Sequence, residues 1–346
     1  MILFRVDANT VIASGHLMRC IAIAEAVRKQ GEDVLFLLAE DCFTQRLQEK
    51  NIKYKILHTN WRKMEEELAQ WEEIVEQYHP SWIVVDSYQV TETYLEKLST
   101  LSKVMYIDDE KKYKYSVDAL LRYIEWEQEE QYRKEYEEKK TAILYGLAYV
   151  PLREEFYPNI QNHEKKTLLI TTGGTDGENI GGRIIEKLAA DLVKKQIHCL
   201  MIVGGLNQYQ KELQQLAKEY AQVTLLYDVR NMGDCMRQAD FAISAGGSTL
   251  YELCACQVPT ICYSVAENQV PHAKALAKEG VIAYAGDIQD GIEPLVEKIV
   301  TETKMWMNRQ TDFSIQREKM GCLIDGKGCT RIAEFLIEHR RQNKEL

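Results

Sequence analysis

Several patterns that mark common protein classes are missing from this chain. The nine cysteines form no CxxC pair, so the sequence does not predict a zinc site. Neither GxGxxG nor GxxxxGK[ST] occurs, and a dinucleotide site or a P-loop is therefore not indicated. No apolar run reaches the roughly 18 residues that a membrane span needs, so no membrane insertion is expected.

An excess of basic charge is also missing. The chain has 43 Lys and Arg against 53 Asp and Glu, for a net charge of −10. This balance argues against a non-specific nucleic-acid binder and against attachment to anionic lipid by charge alone. It leaves open a phosphorylated ligand, because backbone N–H groups and helix N-termini can bind phosphate.

The cysteines are scattered, and most lie in apolar stretches. The tightest pair, Cys254 and Cys256, is interpreted as two core thiols on different sides of one helix. Many unpaired cysteines, in a chain whose first residues already form a strand without a signal peptide, lead us to expect a reducing cytoplasm.

Short apolar strands alternate with helical segments along nearly the whole chain, which is typical of βαβ units and parallel sheets. A length of 346 residues suits two domains. A polar stretch with a proline, residues 157–166, separates the two halves. The predicted fold class is therefore α/β, with two doubly wound, Rossmann-like domains at 1–157 and 158–346. A terminal helix is expected within 332–346.

The segment from Gly15 to Cys20 follows the first apolar strand, and apolar spacing predicts a helix there. His16 would lie in its first turn, at the sheet edge where open α/β folds bind ligands. The positive helix end should keep the imidazole neutral, with a pKa at or below about 6.5, which suits a general base. The alternative is a surface histidine that caps or packs.

Polar side chains follow other predicted strands of the first domain. Asp7 ends the first strand, Asp86 and Tyr88 follow the strand at 82–85, and Asp109 follows the strand at 104–107. These groups could orient a substrate or a base. Carboxylates could also bind a metal, and Asp108 with Asp109 could instead cap the next turn.

Three glycine pairs in the second domain each follow a strand and precede a helix. They are Gly173–Gly174, Gly204–Gly205 and Gly246–Gly247. Glycine permits tight turns and close approach of a ligand. The hydroxyls and N–H groups of residues 172–176 and 244–249 predict a phosphate site, although ordinary βα turns would look similar.

Two further polar positions lie near these glycine pairs. Glu252 could cap the helix that begins near Thr249, or accept hydrogen bonds from ribose hydroxyls. Glu267–Gln269 follows the next strand and suits sugar hydroxyls or amides, with a plain loop as the alternative.

The combination of these motifs resembles the UDP-sugar hydrolase of pseudaminic acid biosynthesis and related spore-coat polysaccharide proteins. The resemblance runs from about residue 1 to about residue 300. The motifs that carry it are Gly15–Arg19, Val85–Tyr88, Ile107–Glu110, Leu152–Phe156, Thr172–Asp176 and Tyr263–Gln269.

The resemblance implies a two-domain GT-B fold with an interdomain cleft. It also implies hydrolysis of UDP-2,4-diacetamido-2,4,6-trideoxy-β-L-altropyranose to free sugar and UDP. In that case His16 is the base for the attacking water. The implied substrate-binding residues are Asp7, Gly15, Arg19, Asp86, Tyr88, Asp109, Asn268 and Gln269. The implied nucleotide-binding residues are Gly173, Gly174, Gly246, Gly247, Ser248, Thr249 and Glu252.

Two features depart from the family pattern. Arg122–Glu125 stand where the family usually has asparagines, on the sugar side of this fold, so the identity of the sugar stays open. The loop between Asp7 and Gly15 lacks the glycine often found near its end.

The favoured mechanism is direct inverting displacement. Neutral His16 deprotonates water, and UDP leaves with its diphosphate stabilised by helix N-termini, without a metal or another cofactor. The alternative is an inverting glycosyltransferase, in which the same histidine deprotonates a glycan hydroxyl. A non-catalytic nucleotide-sugar binder is a third class, which the intact Gly15–His16 pair disfavours.

Overall fold

A computed structural model describes residues 1–9, 11–12, 14–124, 128–157, 166–308 and 313–340. The chain divides into two compact units. The first combines Met1–Arg153 with Gly326–Leu346, and the second is Glu154–Asp325.

The first unit contains a parallel sheet of seven strands in its described part, in the order β3-β2-β1-β4-β5-β6-β7. The strands are β1 (Ile2–Val6), β2 (Val34–Leu38), β3 (Lys53–Ile56), β4 (Trp82–Asp86), β5 (Lys103–Ile107), β6 (Ala119–Arg122) and β7 (Ala142–Tyr145). The helices that precede the second unit are α1 (Gly15–Lys29), α2 (Thr44–Glu49), α3 (Leu68–Tyr78), α4 (Glu92–Leu101) and α5 (Glu129–Glu135).

The second unit contains a parallel sheet of six strands in its described part, in the order β10-β9-β8-β11-β12-β13. The strands are β8 (Thr167–Thr171), β9 (His198–Val203), β10 (Val223–Tyr227), β11 (Phe241–Ala245), β12 (Thr260–Ser264) and β13 (Ile282–Asp287). The helices are α6 (Ile180–Lys195), α7 (Gln210–Glu219), α8 (Met232–Arg237), α9 (Thr249–Ala255), α10 (Val270–Lys278), α11 (Ile292–Asn308) and α12 (Ser314–Leu323).

The last helix, α13 (Gly328–Glu338), belongs to the first unit, where it packs on α1. Short 3-10 helices complete the described secondary structure. They are Met64–Glu67, Leu147–Tyr149, Glu154–Phe156, Glu267–Gln269 and Ile288–Asp290.

The central strands are buried on both faces, as parallel strands covered by helices must be. Every residue of β1, β2, β4, β8 and β11 is buried. In the first unit, Leu3, Ile83 and Val85 contribute to a core with Trp71 of α3 and Tyr94 of α4. The apolar runs that predicted the strands are therefore the centre of each sheet.

Strand order reverses once in each unit, between β1 and β4 and between β8 and β11. Open α/β sheets bind ligands outside the carboxyl ends of the strands at such reversal points. The β1–α1 and β4–α4 connections border the first reversal. The loops after β8 and β11, which carry Gly173–Gly174 and Gly246–Gly247, border the second.

The predicted fold class is confirmed, because both units contain a doubly wound parallel sheet. The observed division between the units differs from the predicted one at 157/158. It falls after Arg153, and α13 returns to the first unit instead of completing the second. Most of the predicted linker, 158–165, lies outside the described residues, as does Glu125 of the segment that departs from the family pattern.

Candidate active site

His16 lies in the first turn of α1, as its position after β1 predicted. The residue is 7% exposed, so most of its ring is shielded from water. Asp86, the last residue of β4, lies beside it, because Val6 of β1 pairs in register with Asp86. The ring atom Nδ1 lies 2.8 Å from Oδ1 of Asp86.

The contact between His16 and Asp86 is an ion-pair contact without a well-aligned hydrogen bond at Nδ1. It places a carboxylate against one ring nitrogen. An imidazole oriented in this way at Nδ1 can act as a base through Nε2.

Opposing effects determine the pKa of His16, and burial and Asp86 are the largest of them. Burial lowers the pKa, because it disfavours the charged ring, but the charge and contact of Asp86 raise it by more. The net result is a pKa raised above the usual value. The expectation of a pKa at or below about 6.5 is therefore wrong, because it considered the helix end and omitted the carboxylate across the strand pair.

Arg19 holds Asp86 from the other side. Its Nε donates to Oδ2 at 2.6 Å and its Nη2 to Oδ1 at 2.5 Å, a bidentate pair. Burial raises the pKa of Asp86, but the charges of Arg19 and His16 hold it well below its usual range. Asp86 therefore stays ionised beside the histidine.

The same arginine connects Asp86 to a second carboxylate. Its Nη1 donates to Oδ1 of Asp109 at 3.0 Å and to the Tyr123 hydroxyl at 2.6 Å. The Tyr88 hydroxyl donates to Oδ2 of Asp109 at 3.3 Å, and the Tyr88 ring lies edge-on to His16 with centroids 4.4 Å apart. These contacts form one network, which we call the histidine cluster. Its members are His16, Arg19, Asp86, Tyr88 and Asp109.

Asp7 is at the same sheet edge but belongs to a different set of contacts. Its backbone N–H donates to the carbonyl of Asp86, while its Oδ1 accepts from Arg5 at 2.6 Å. Arg5 is fully buried, and its Nε donates to Glu67 at 2.7 Å. Sequence reasoning missed Arg5 and Glu67, although an arginine inside an otherwise apolar strand was a signal of a buried ion pair.

Asp108 and Arg122 form a separate buried contact. Oδ1 of Asp108 accepts from the backbone N–H of Lys111 at 2.8 Å, which is the capping role that sequence left open. Arg122 donates to the carbonyl of Asp108 at 2.9 Å. Two of the residues that depart from the family pattern therefore make contacts within the first unit. Arg122 binds the backbone of Asp108, and Tyr123 binds Arg19.

In the second unit, Asp176 caps the N-terminus of α6. Its carboxylate accepts from the N–H groups of Ile180 at 2.8 Å and Gly181 at 3.1 Å. This terminus is therefore already occupied by an anion of the protein. Gly173 and Gly174 precede it in an exposed loop, where Gly173 has a φ of +82° that favours glycine.

The helix that follows β11, α9, differs from α6 in the residue that precedes it. Ser248 precedes α9 without a side-chain cap on the helix terminus. Gly246 is buried, Ser248 is exposed, and Gly247 and Thr249 are half-buried. A helix start behind two glycines can bind an anionic group through backbone N–H groups.

Further candidate ligand-binding residues lie near the loop after β11. Glu252 is half-buried on α9, and Asn268 is exposed in the short helix after β12. Gln269 accepts from the backbone N–H of Val265 at 2.9 Å, and its side chain packs against Gly246. His272, which sequence reasoning missed, lies beside the backbone of Gly246 and Asn268, burial lowers its pKa, and its Nε2 has no hydrogen-bond partner among the described residues.

The glycine at position 204 is required by packing between two loops. A Cβ on Gly204 would collide with the backbone carbonyls of Gly173 and Gly174. The loop after β9 therefore packs directly on the loop after β8, and the plain-turn interpretation applies to Gly204.

Two kinds of feature are absent from the described residues. No helix in this part of the chain has the length and apolar character to cross a membrane. No group of three His, Cys, Asp or Glu side chains there is arranged to hold a metal ion.

The second unit is similar to a known domain family. Residues 167–320 match the glycosyltransferase family 28 C-terminal domain. The spore coat polysaccharide biosynthesis protein SpsG of Bacillus subtilis is 27% identical over 58% of this chain and 60% of its own length.

A second relative is a UDP-N-acetylglucosamine–N-acetylmuramyl-(pentapeptide) pyrophosphoryl-undecaprenol N-acetylglucosamine transferase of Sulfurovum sp. It is 27% identical over 55% of this chain and 55% of its own length. The chain spans little more than half the length of the curated relatives it matches.

The crystal structure of MurG from Acinetobacter baumannii superimposes with a TM-score of 0.68 at 16% identity, covering 97% of this chain and 99% of that one. At this identity the likeness establishes the fold alone. The chain therefore has the two-domain GT-B fold, and its second unit resembles the C-terminal domain of family 28 glycosyltransferases.

Proposed function

We propose that this chain is an inverting glycosyltransferase that uses a UDP-sugar donor in the synthesis of a surface polysaccharide. The observation that carries the proposal is the match of residues 167–320 to the family 28 C-terminal domain. The relatives named for spore-coat polysaccharide synthesis and for N-acetylglucosamine transfer support this donor and this process.

In this proposal the second unit binds UDP. The loop Gly246–Thr249 and the start of α9 take the diphosphate, because the Ser248 side chain makes no capping hydrogen bond there and backbone N–H groups can bind phosphate. The terminus of α6 is a weaker candidate, since the Asp176 carboxylate already binds its N–H groups and would repel a phosphate. Glu252 is the proposed acceptor for the ribose hydroxyls, and Asn268 and Gln269 are proposed to contact the sugar.

The first unit supplies the base. His16 removes the proton from the attacking hydroxyl, while Asp86 orients the ring and stabilises the imidazolium that forms. Arg19 is then a positioning residue, because its nitrogens bind Asp86, Asp109 and Tyr123. The hydroxyl oxygen attacks the anomeric carbon, the bond to UDP breaks, and the configuration inverts.

The second candidate keeps the same groups and replaces the acceptor hydroxyl with water. Its support is the residue pattern shared with the UDP-sugar hydrolase of pseudaminic acid biosynthesis, with His16 at the helix start. The relatives whose names state an activity are transferases, so transfer is the preferred proposal.

The test measures UDP release from a panel of UDP-sugars, with and without glycan acceptors. Transfer predicts slow release that an acceptor accelerates, whereas hydrolysis predicts full turnover without an acceptor and uptake of ¹⁸O from labelled water into the sugar. Retention of anomeric configuration would overturn direct displacement. If UDP itself does not bind in calorimetry, both candidates fail.

The role of His16 is tested by His16→Asn. We expect a loss of turnover of roughly 10²-fold or more, with UDP affinity nearly unchanged. His79→Asn is the matched control, because His79 is exposed at the end of α3 in a left-handed conformation that asparagine adopts readily. Near-normal turnover of a folded His16→Asn variant would exclude His16 as the base.

A further inference from the structure

A buried thiol contacts the histidine cluster and has no part in the proposed reaction. Cys20 lies on α1, and no part of it is exposed to solvent. Its Sγ donates a hydrogen bond to Oδ2 of Asp86 at 3.4 Å. A thiol is a weak donor, but a hydrogen bond to an ionised acceptor is stronger than one between neutral groups. The contact therefore acts on the carboxylate that lies beside His16.

The Cys20 sulfur can donate this hydrogen bond because it keeps its proton. Burial raises the pKa of Cys20 well above its usual value, and the charge of Asp86 raises it further, whereas Arg19 lowers it. Cys329 of α13 also acts on this thiol, and its own Sγ donates to the carbonyl of Leu152 at 3.3 Å. Cys20 is thus an S–H group and not a thiolate near neutral pH.

Cys20 completes a set of contacts that one face of α1 makes with Asp86. Residues 16, 19 and 20 are three and four positions apart, so their side chains lie on the same side of the helix. Oδ1 of Asp86 lies beside Nδ1 of His16 and accepts from Nη2 of Arg19. Oδ2 accepts from Nε of Arg19 and from Cys20. A carboxylate has about four lone-pair sites, and Cys20 supplies the fourth of these contacts.

Other ionisable groups face His16 and Asp86 from the surrounding elements. They act on the pair through charge, ring contact or backbone contact, and a change at Cys20 leaves their side chains in place. Such a change therefore tests one hydrogen bond to Oδ2. The groups are Arg19 of α1, Asp7 after β1, Tyr88 after β4, Asp109 after β5 and Tyr123 after β6.

We infer that Cys20 is a positioning residue for the proposed base, because its thiol binds the Oδ2 end of Asp86 and limits how strongly this carboxylate acts on His16. The inference rests on the proposed role of His16. Without the S–H donor, less of the Asp86 charge is neutralised. The carboxylate then stabilises the imidazolium more strongly, and His16 keeps its proton to a higher pH.

The experiment compares Cys20→Ala and Cys20→Ser by NMR titration of the His16 ring in the full chain. Cys20→Ala should raise the pKa of His16 by about 0.3–0.5, because one weak donor to the carboxylate is lost. Cys20→Ser should return this pKa to the wild-type value or below it, because a hydroxyl is a better donor than a thiol. The acid limb of the pH–rate profile for UDP release should move with the ring titration.

Cys199→Ala is the matched control, because Cys199 of β9 is equally buried and burial is the cause that raises its pKa. This variant loses the same sulfur without a carboxylate contact and should leave the pKa of His16 unchanged. An unchanged or lower pKa of His16 in Cys20→Ala, or equal values in the Ala and Ser variants, would overturn the inference.

Two further outcomes are separated by the design. If Cys20→Ala does not fold, Cys20→Ser decides the case, and a His16 pKa above the wild-type value in that variant would overturn the inference. The ring titration needs no substrate. An absence of UDP release from every donor would therefore overturn the proposed function, while the titration still measures the effect of Cys20 on His16.

Discussion

Replacing Asp86 by Asn should move the acid limb of the pH–rate profile to lower pH. With His16 as the proposed base, we expect wild-type activity to rise with pH as His16 loses its proton, with a midpoint above the usual histidine pKa because Asp86 favours the imidazolium. The substitution would remove that charge and leave burial and the charge of Arg19, both of which lower the pKa of His16.

The size of this change follows from the geometry. An opposite charge within about 4–6 Å changes a pKa by about 1–3, and Oδ1 of Asp86 lies 2.8 Å from Nδ1. We therefore expect the pKa of His16 to fall by about 1–3, equivalent to about 1.4–4 kcal/mol. The plateau rate should fall as well, because the developing imidazolium loses its counter-charge.

The same pair contributes to the pH dependence of folding. Because the pKa of His16 is raised in the folded protein, its stabilisation is fully present below the unfolded value of about 6.5. It is lost as the pH rises through the raised folded pKa. Asp86→Asn should remove this part of the pH dependence of thermal unfolding.

The assay records kcat/KM from UDP release at pH 5–9, with NMR titration of the His16 ring as a direct measure of its pKa. Asp41→Asn, an exposed position in the same unit, serves as the control. An unchanged or higher pKa for His16 in Asp86→Asn would refute the electrostatic argument. So would an acid limb that fails to follow the NMR titration.

Three further changes test other parts of the molecule. Glu67→Gln should lower the free energy of unfolding by about 3–5 kcal/mol, since it leaves buried Arg5 poorly balanced; a loss below about 1 kcal/mol in urea denaturation would contradict this. Asp176→Ala should destabilise the protein by about 0.5–2 kcal/mol through loss of the α6 cap, measured by thermal melts, and an unchanged melting temperature would argue against the cap. Gly204→Ala should lower the melting temperature, because its Cβ collides with the carbonyl of Gly174, and leave UDP affinity in calorimetry nearly unchanged, because the proposed diphosphate loop is Gly246–Thr249; an unchanged melting temperature would contradict this.

The fold could be predicted from the sequence because each central strand is an apolar run that is buried on both faces. The run before Asp7 and the helical spacing after Gly15 together placed His16 correctly at the start of α1. The placement of α13 in the first unit was not accessible, since it depends on packing between helices at opposite ends of the chain.

Local reasoning also gave the wrong direction for the pKa of His16. A helix N-terminus can be recognised from neighbouring residues, but the opposing carboxylate comes from β4, 70 positions along the chain. Its proximity depends on the register of β1 with β4, which no local pattern specifies. The partners of Arg19, Asp86 and Asp109, are equally remote in sequence, and its role as a substrate ligand, which the resemblance implied, stays a prediction.

The return of α13 to the first unit has a consequence for synthesis on the ribosome. Gly328 begins this helix where any side chain would collide with the carbonyl of Val150, and Phe335 packs on Trp82 with ring centroids 5.8 Å apart. The first unit therefore lacks one of its core elements until residues Gly328–Glu338 have emerged. The second unit, Glu154–Asp325, is complete earlier. Its native contacts can therefore form before α13 is available to pack on the first unit.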